Sequence, residues 1–519
     1  MLSALLIGCG AESTRQPEDA AAGAAGAGIS AGRGGTGAGG WSAGGTSAGL
    51  PGAAGEGGSI GGDAGTPAGG AGAATGGTAG TVASGSGGLG AGGAAGAGSG
   101  GSPVGGDGGV SAAGTSSGGA PSFEVEARLA SDIKSTAPTT VGVITWSLEG
   151  AVLTEAHIDF GLDTTYGTTA PVDLMQAGYR TLLVGLKPER TYHFRVVATD
   201  GSRTYTSADQ TLTTGALPDT VPGVTSSIAL PEKVDEGFLI GSFWQFDDSA
   251  KVYILDADGD LVWWYTDPTI TTTSDGIGRA RLSADGRDLW LVNGQRGVPL
   301  RRVSMDTLEE QIYPETGGSH DLTTVSGDTM AYLDTRSQRC AIITEVDRSG
   351  ATRPVFDSST VLTSCHANAI RYSEAEDVYV FSDRNNDVFG VGRTGDLLWR
   401  LSERVSGGHE SWGGIQHGVQ LLEQSLLVFA NEAGGDQMHS QAIEFGLDGS
   451  VIKAFSSRSG TAFFGDVQRL PSGNTLIAYS GLIHVVDAND EVVLELAAVN
   501  SPFAYVEFRP SLYGPPGRF

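Results

Sequence analysis

From about residue 236 to the C-terminus, apolar and polar positions alternate in short runs that repeat one pattern. An apolar strand leads into a tight turn that opens on Asp or Gly and usually carries Gly three residues later. A second apolar strand, often with Trp, leaves the turn. Clear copies are Val252-Tyr-Ile-Leu-Asp256-Ala-Asp-Gly259-Asp-Leu-Val-Trp263, Ile342-Ile-Thr-Glu-Val-Asp347-Arg-Ser-Gly350 and Val388-Phe-Gly-Val-Gly392-Arg-Thr-Gly395-Asp-Leu-Leu-Trp399. Ala442-Ile-Glu-Phe-Gly446-Leu-Asp-Gly449 and Ile483-His-Val-Val-Asp487-Ala-Asn-Asp490 follow, and a degenerate copy opens at Ser304. The openings at 256, 304, 347, 392, 446 and 487 are 48, 43, 45, 54 and 41 residues apart. A period in the forties with hairpin chemistry predicts propeller blades, so residues 220–519 are expected to form a six-bladed β-propeller. The acidic turn Asp256-Ala-Asp258-Gly259-Asp260 reads as one of these hairpins, because it lacks the distal Glu of a calcium loop.

Residues 122–215 alternate differently. Val141-Gly-Val143-Ile-Thr-Trp146, His157-Ile-Asp-Phe160 and Tyr192-His-Phe194-Arg-Val196 predict half-buried strands of a small antiparallel sandwich. The run Leu186-Lys-Pro188-Glu-Arg-Thr-Tyr192-His-Phe194-Arg-Val196, together with Trp146, resembles a fibronectin type III domain. The expected class is therefore all-β, with the sandwich as a self-contained spacer or docking module whose aromatics are core.

Composition separates these modules from what precedes them. Of the chain's 519 residues 83 are Gly, concentrated between residues 23 and 119 with Ala, Ser and Thr. Such a stretch has too little apolar area to offset the entropy of ordering it, so residues 10–120 are expected to be a disordered linker. The first nine residues end in Leu6-Ile7-Gly8-Cys9, which resembles a bacterial lipobox; residues 1–9 then form a truncated signal, and Cys9 is the expected lipidation site. That places the protein outside the cytoplasm, lipid-anchored in the cell envelope. The formal charge of -28 repels nucleic acid and anionic headgroups, so the lipid anchor is the expected membrane contact. Cys340 and Cys365 read equally as an extracytoplasmic disulfide or as two buried thiols.

Candidate chemistry lies in the first hairpin of each repeat. Ser319-His320-Asp-Leu322, Cys365-His366-Ala-Asn368 and Gln416-His417-Gly-Val419 open three consecutive repeats. Their histidines stand 27, 26 and 29 residues before their turn openings. Equivalent inner positions of adjacent blades converge on the propeller axis, so this shared register predicts a functional cluster. No carboxylate or cysteine recurs at that register in a ligand-like pattern, which argues against a metal; Asn368 and Arg384 supply donors for an anion instead. His157, His193 and His484 read as ordinary strand histidines, and His409 and His439 as loop residues.

Residues 236–514 are similar to the PAPS-independent arylsulfate sulfotransferases. The matching elements are Ser-His320-Asp-Leu, His366-Ala-Asn368-Ala-Ile370, Val380-Phe-Ser-Asp-Arg384, Gln416-His417-Gly-Val-Gln420, Val467-Gln-Arg-Leu-Pro471-Ser-Gly-Asn474 and Phe508-Arg-Pro-Ser-Leu-Tyr513. The resemblance implies a ping-pong sulfotransferase moving a sulfuryl group from a phenolic sulfate ester to a phenol. His417 would be the nucleophile; His320, His366 and Arg384 would complete the catalytic set, with Asn368 binding the sulfonate. It also implies no cofactor and no metal. The competing reading is a catalytically silent surface propeller that binds or adheres.

Overall fold

The computed structural model describes residues 122–514, apart from 248, 268, 273–275, 337–339, 385–386, 409–411, 413–414 and 432–438. Cys9, the Gly-rich segment and His409 lie outside the described residues. The chain is all-β, and its longest helix among the described residues is the four-residue Ala130–Ile133. Among the described residues no helix is long and apolar enough to cross a membrane.

Residues 122–213 form two antiparallel sheets. Phe123–Leu129, Gly142–Leu148 and Thr181–Leu183 make one; Glu155–Gly161, Thr168–Pro171, Thr191–Thr199, Thr204–Thr206 and Gln210–Thr213 make the other. Alternation does what the sequence requires: Tyr192, Phe194, Val196 and Ala198 point into a core with Trp146, Ile158 and Phe160, while the intervening residues are more exposed.

The rest is a β-propeller whose described strands form sheets of four, seven, four, four and five strands, the seven-stranded one running through the long strand Glu310–Ser326. Their inner strands are Ile277–Leu282, the distal half of Glu310–Ser326, Ala367–Ser373, Gln416–Leu421, Asp466–Arg469 and Phe503–Arg509. Each touches the next, and the last returns to the first, closing a ring. The ring closes by interleaving the chain ends. Phe503–Arg509 pairs with Phe238–Phe243, and Val224–Ile228 adds a strand beyond Val492–Ala498. All six anticipated turns are present between third and fourth strands; Gly395 N–H donates to Gly392 O at 2.8 Å and Gly350 N–H to Asp347 O at 3.0 Å.

An inner strand has no partner on its channel side, so its N–H groups need other acceptors. Side chains of the preceding inner strand supply them. Asp321 accepts from Ile370 N–H at 3.0 Å, Thr323 from Tyr372 at 3.2 Å, Gln420 from Arg469 at 2.6 Å, and Gln468 from Phe508 at 2.9 Å. Stepping round the ring by these bonds puts Arg279, Asp321, Ala369, Gly418, Asp466 and Tyr505 in one layer. Two residues on, a second layer holds Arg281, Thr323, Arg371, Gln420, Gln468 and Glu507.

The sandwich is not a free module. Ala130, Ala137, Val141, Val143 and Val184 belong to the same buried cluster as Ile240, Val252, Val262 and Leu512 of the propeller. Thr140 Oγ1 donates to Val262 O at 2.6 Å. Lys187 inserts its ammonium among Asp256, Asp258 and Asp260 at 3.1, 2.5 and 2.7 Å. The segment expected to be a spacer or docking module thus shares part of its buried core with the propeller, which alternation within each segment does not reveal. The acidic turn is a hairpin, as expected, and its charge is answered by a lysine.

Candidate active site

His320 and His417 lie where a register shift interrupts pairing of an inner strand to the second strand, and His366 directly precedes an inner strand with a similar shift. The shifts fall between Gly318 and Leu322, between Ala367 and Ala369, and between Gln416 and Val419. Such bulges re-aim side chains. His320 bears the backbone cost directly, with φ of 64° in the left-handed region that β-carbon-bearing residues avoid.

Their shared register holds only in part. Across the ring, His320 is level with Asn368 and His417, and His366 stands two residues earlier. Its carbonyl accepts from Arg384 N–H at 2.9 Å, the place that Gly317 and Ile415 take toward Thr335 and Asn431. Counting from the turns hid this, because the bulges and hairpins differ in length. The side chains still meet: the His320 and His366 rings are 5.1 Å apart in an edge-to-face arrangement.

His417 is buried, and its Nδ1 lies 2.5 Å from Asn431 Oδ1. The Asn431 amide is oriented by two donations from Nδ2, to Thr461 O at 3.0 Å and Phe464 O at 2.6 Å. Oδ1 must therefore accept, which puts the imidazole proton on Nδ1 and the lone pair on Nε2. Burial pushes the His417 pKa down to about 3, the Asn431 bond opposes that, and Arg384 and His366 lower it further. His366 falls to about 4 through burial and the charges of Arg384 and Arg296. His320 lies well below the ordinary value, mainly through burial. All three are neutral imidazoles at pH 7.

Several polar atoms here are buried without a hydrogen-bond partner: Nε2 of His320, Nε2 of His366 and Nε of Arg384. Buried polar atoms left open in this way are uncommon and call for an explanation such as an absent ligand. Asn368 is placed otherwise. It is fully buried; its Nδ2 donates to Gln416 O at 2.7 Å, its Oδ1 accepts from Ser382, and its carbonyl accepts from Tyr505 Oη at 2.5 Å. It holds the backbone beside His417 and is not among the open donors.

Sequence reasoning missed Asn431, Ser319 and the aromatic side of the site. Ser319 Oγ lies 2.5 Å from His320 Nδ1. Tyr505 stands 6.2 Å from the His417 ring, Phe464 5.5 Å from Tyr505, and Trp244 4.7 Å from Phe464. Asn431 was findable: it takes the position of Arg384 in the next blade. Cys340 and Cys365 form a disulfide with Cα atoms 5.1 Å apart, settling the open choice and tying the residue before His366 to the neighbouring blade. His157, His193 and His484 pair with Asp159, Asp209 and Glu495, the ordinary roles expected of them.

No family model and no curated protein matches the chain. Among solved structures, it is similar to TolB from Acinetobacter baumannii, with 10% identity and a TM-score of 0.40 over 63% of this chain and 80% of that one. A protein of unknown function from Bacteroides thetaiotaomicron gives 11% and 0.35 over 73% and 98%. An oligogalacturonate lyase in complex with manganese gives 12% and 0.35 over 52% and 83%. The propeller assignment rests on the closed ring of inner strands, not on these likenesses.

Proposed function

We propose that the histidine end of the channel transfers sulfuryl groups from phenolic sulfate esters to phenols through a sulfohistidine at His417, with no PAPS. The observation that carries this reading is the Asn431-fixed Nε2 lone pair of a neutral, buried His417 beside three unpartnered nitrogens. Sulfuryl transfer, like phosphoryl transfer, spreads charge over three equatorial oxygens while nucleophile and leaving group lie in line. It needs an uncharged nucleophile and convergent donors for those oxygens. In the first half-reaction an N–S bond forms at Nε2 as the ester S–O bond breaks, and the electron pair leaves on the phenolate oxygen. If Ser319 donates to Nδ1, His320 carries its proton on Nε2 and can offer it to that leaving oxygen. His366 and Arg384 bind the sulfonate, and Asn368 positions the strand that bears His417. In the second half-reaction an acceptor phenol attacks sulfur, the N–S pair returns to Nε2, and the phenol's proton passes to water, which balances the proton the departed phenolate takes up from solvent. The Trp244–Phe464–Tyr505 wall suits the aryl ring of either substrate.

The test is intact mass after incubation with 4-nitrophenyl sulfate. A sulfuryl adduct that maps to His417 and is discharged by a phenol is the expected result. Binding without adduct or turnover would make this a silent binding propeller, and activity lost to a chelator would make the histidines metal ligands.

The chain's place in the cell envelope is part of the same proposal. The lipobox-like Leu6-Ile7-Gly8-Cys9 and the long polar segment behind it fit an anchor at Cys9, and the Cys340–Cys365 disulfide fits an oxidising compartment.

A further inference from the structure

The channel has a second end, and the layer containing Arg279 separates it from the histidines. Arg279 is fully buried and fully engaged. Its Nε donates to Asp321 at 2.7 Å, its Nη1 reaches Asp466 at 2.6 Å and Val506 O at 2.9 Å, and its guanidinium lies 4.5 Å over the Tyr505 ring. Gly418 makes room, since a β-carbon there would meet Asp466 Oδ1 at 2.4 Å.

Beyond this plug lies a cavity of about 720 Å³, within the range of small-molecule sites. All six inner strands line it, through Arg281, Thr323, Arg371, Gln420, Gln468 and Glu507, so its floor is a closed ring of polar side chains. Arg281 is 3% exposed; its Nη1 pairs with Glu507 at 2.9 Å. Its Nη2 stands 3.8 Å from Asp321 and makes no hydrogen bond. Arg371 spends one nitrogen, Nη2, on Asp466 at 3.0 Å. Thr324 Oγ1, in the same lining, is also without a partner. Two arginines next but one around a ring repel each other, and an oxyanion between them would relieve that repulsion and accept from the Arg371 nitrogens not spent on Asp466. Above the floor the walls are mixed, with Val325, Tyr372 and Leu421 as apolar surface and Ser326, Ser373 and Glu374 beside them.

We propose that this cavity is a second binding site, distinct from the histidine cluster, for a small organic molecule with a carboxylate or sulfate head. The head sits between Arg281 and Arg371, and the body lies against Val325, Tyr372 and Leu421. The site is built from a different layer of the inner strands, so it stands or falls independently of sulfuryl transfer.

Calorimetric titration with 4-nitrobenzoate, inorganic sulfate and neutral nitrobenzene tests it in the full chain. Nitrobenzoate should bind, sulfate should bind more weakly and compete with it, and nitrobenzene should not bind. Arg371→Gln should weaken nitrobenzoate by about tenfold or more, the loss of one charge-assisted contact. His417→Ala should leave its affinity unchanged. Arg281→Gln should act like Arg371→Gln; if it fails to fold, Thr324→Val, further from the buried pairs, should still weaken binding. No binding to the wild type, binding indifferent to both Arg371→Gln and Thr324→Val, or binding lost in His417→Ala would each overturn the proposal.

Discussion

The Nδ1 of His417 and the Oδ1 of Asn431 are 2.5 Å apart, and the other end of the same amide is held by two backbone carbonyls. The asparagine thus fixes which imidazole nitrogen carries the proton, without bringing a charge. Asn431→Asp retains the shape but puts a carboxylate beside the ring. The imidazolium form then gains a partner, so the His417 pKa rises. At neutral pH, adduct formation with 4-nitrophenyl sulfate should slow, and the acid limb of its pH profile should move toward neutrality. A residue acting only on stability would lower the rate without moving that limb.

The division of labour among the remaining groups predicts different failures. His417→Ala should abolish adduct and turnover together. Arg384→Ala or His366→Ala should leave the far-ultraviolet circular dichroism unchanged and slow adduct formation by about 10²–10³-fold, as expected for each lost donor to transition-state charge. A variant of Arg384 with wild-type rates would remove it from the catalytic set.

The depressed histidine pKa values set two pH windows. The proposed transfer needs neutral His417, so kcat/KM for the aryl sulfate should be flat from about pH 8 to about pH 5 and fall as pH approaches the folded value of about 3. An unperturbed histidine would instead lose half its activity near pH 6.5. Stability behaves differently. Below about pH 6.5 the unfolded chain binds protons at His320, His366 and His417 that the folded chain refuses. Stability should therefore fall as pH drops from about 6.5 toward about 4, which the urea midpoint would report. His366→Asn should flatten that slope.

Much of this was legible in the chain because turn chemistry is local. Asp347 and Gly350, or Gly392 and Gly395, announce a hairpin whatever surrounds them, and their spacing carried the architecture. What was not legible depends on contacts between distant strands. The closure of Phe503–Arg509 onto Phe238–Phe243 has no marker in either segment. The bulges that set His366 two residues from the level of His320 and His417 change the count without changing residue types. Asn368 reads as a ligand-binding group because a polar residue beside a histidine suggests chemistry; what the sequence does not show is that its amide also bonds Gln416 O and Ser382. Asn431 follows an apolar strand far from any motif, and its one marker is the position it shares with Arg384 of the preceding blade.

The contact between sandwich and propeller gives the last prediction. Lys187 places one positive charge among Asp256, Asp258 and Asp260, and burial raises the pKa of Asp256 against the pull of that lysine. Lys187→Ala would leave three carboxylates within 4.8 Å of one another and no cation between them. Their repulsion should lower the Tm of the whole chain, and millimolar calcium should restore part of the loss in the variant while leaving the wild type unchanged. Truncation at residue 220 should be far more damaging. It removes Val141, Val143 and Val184 from the cluster they share with Ile240, Val252 and Leu512, and so exposes apolar surface that the propeller cannot cover alone. The truncated chain should aggregate or melt well below the full chain. A truncated propeller that stayed free of aggregates with an unchanged Tm would show that the shared core contributes nothing to the fold.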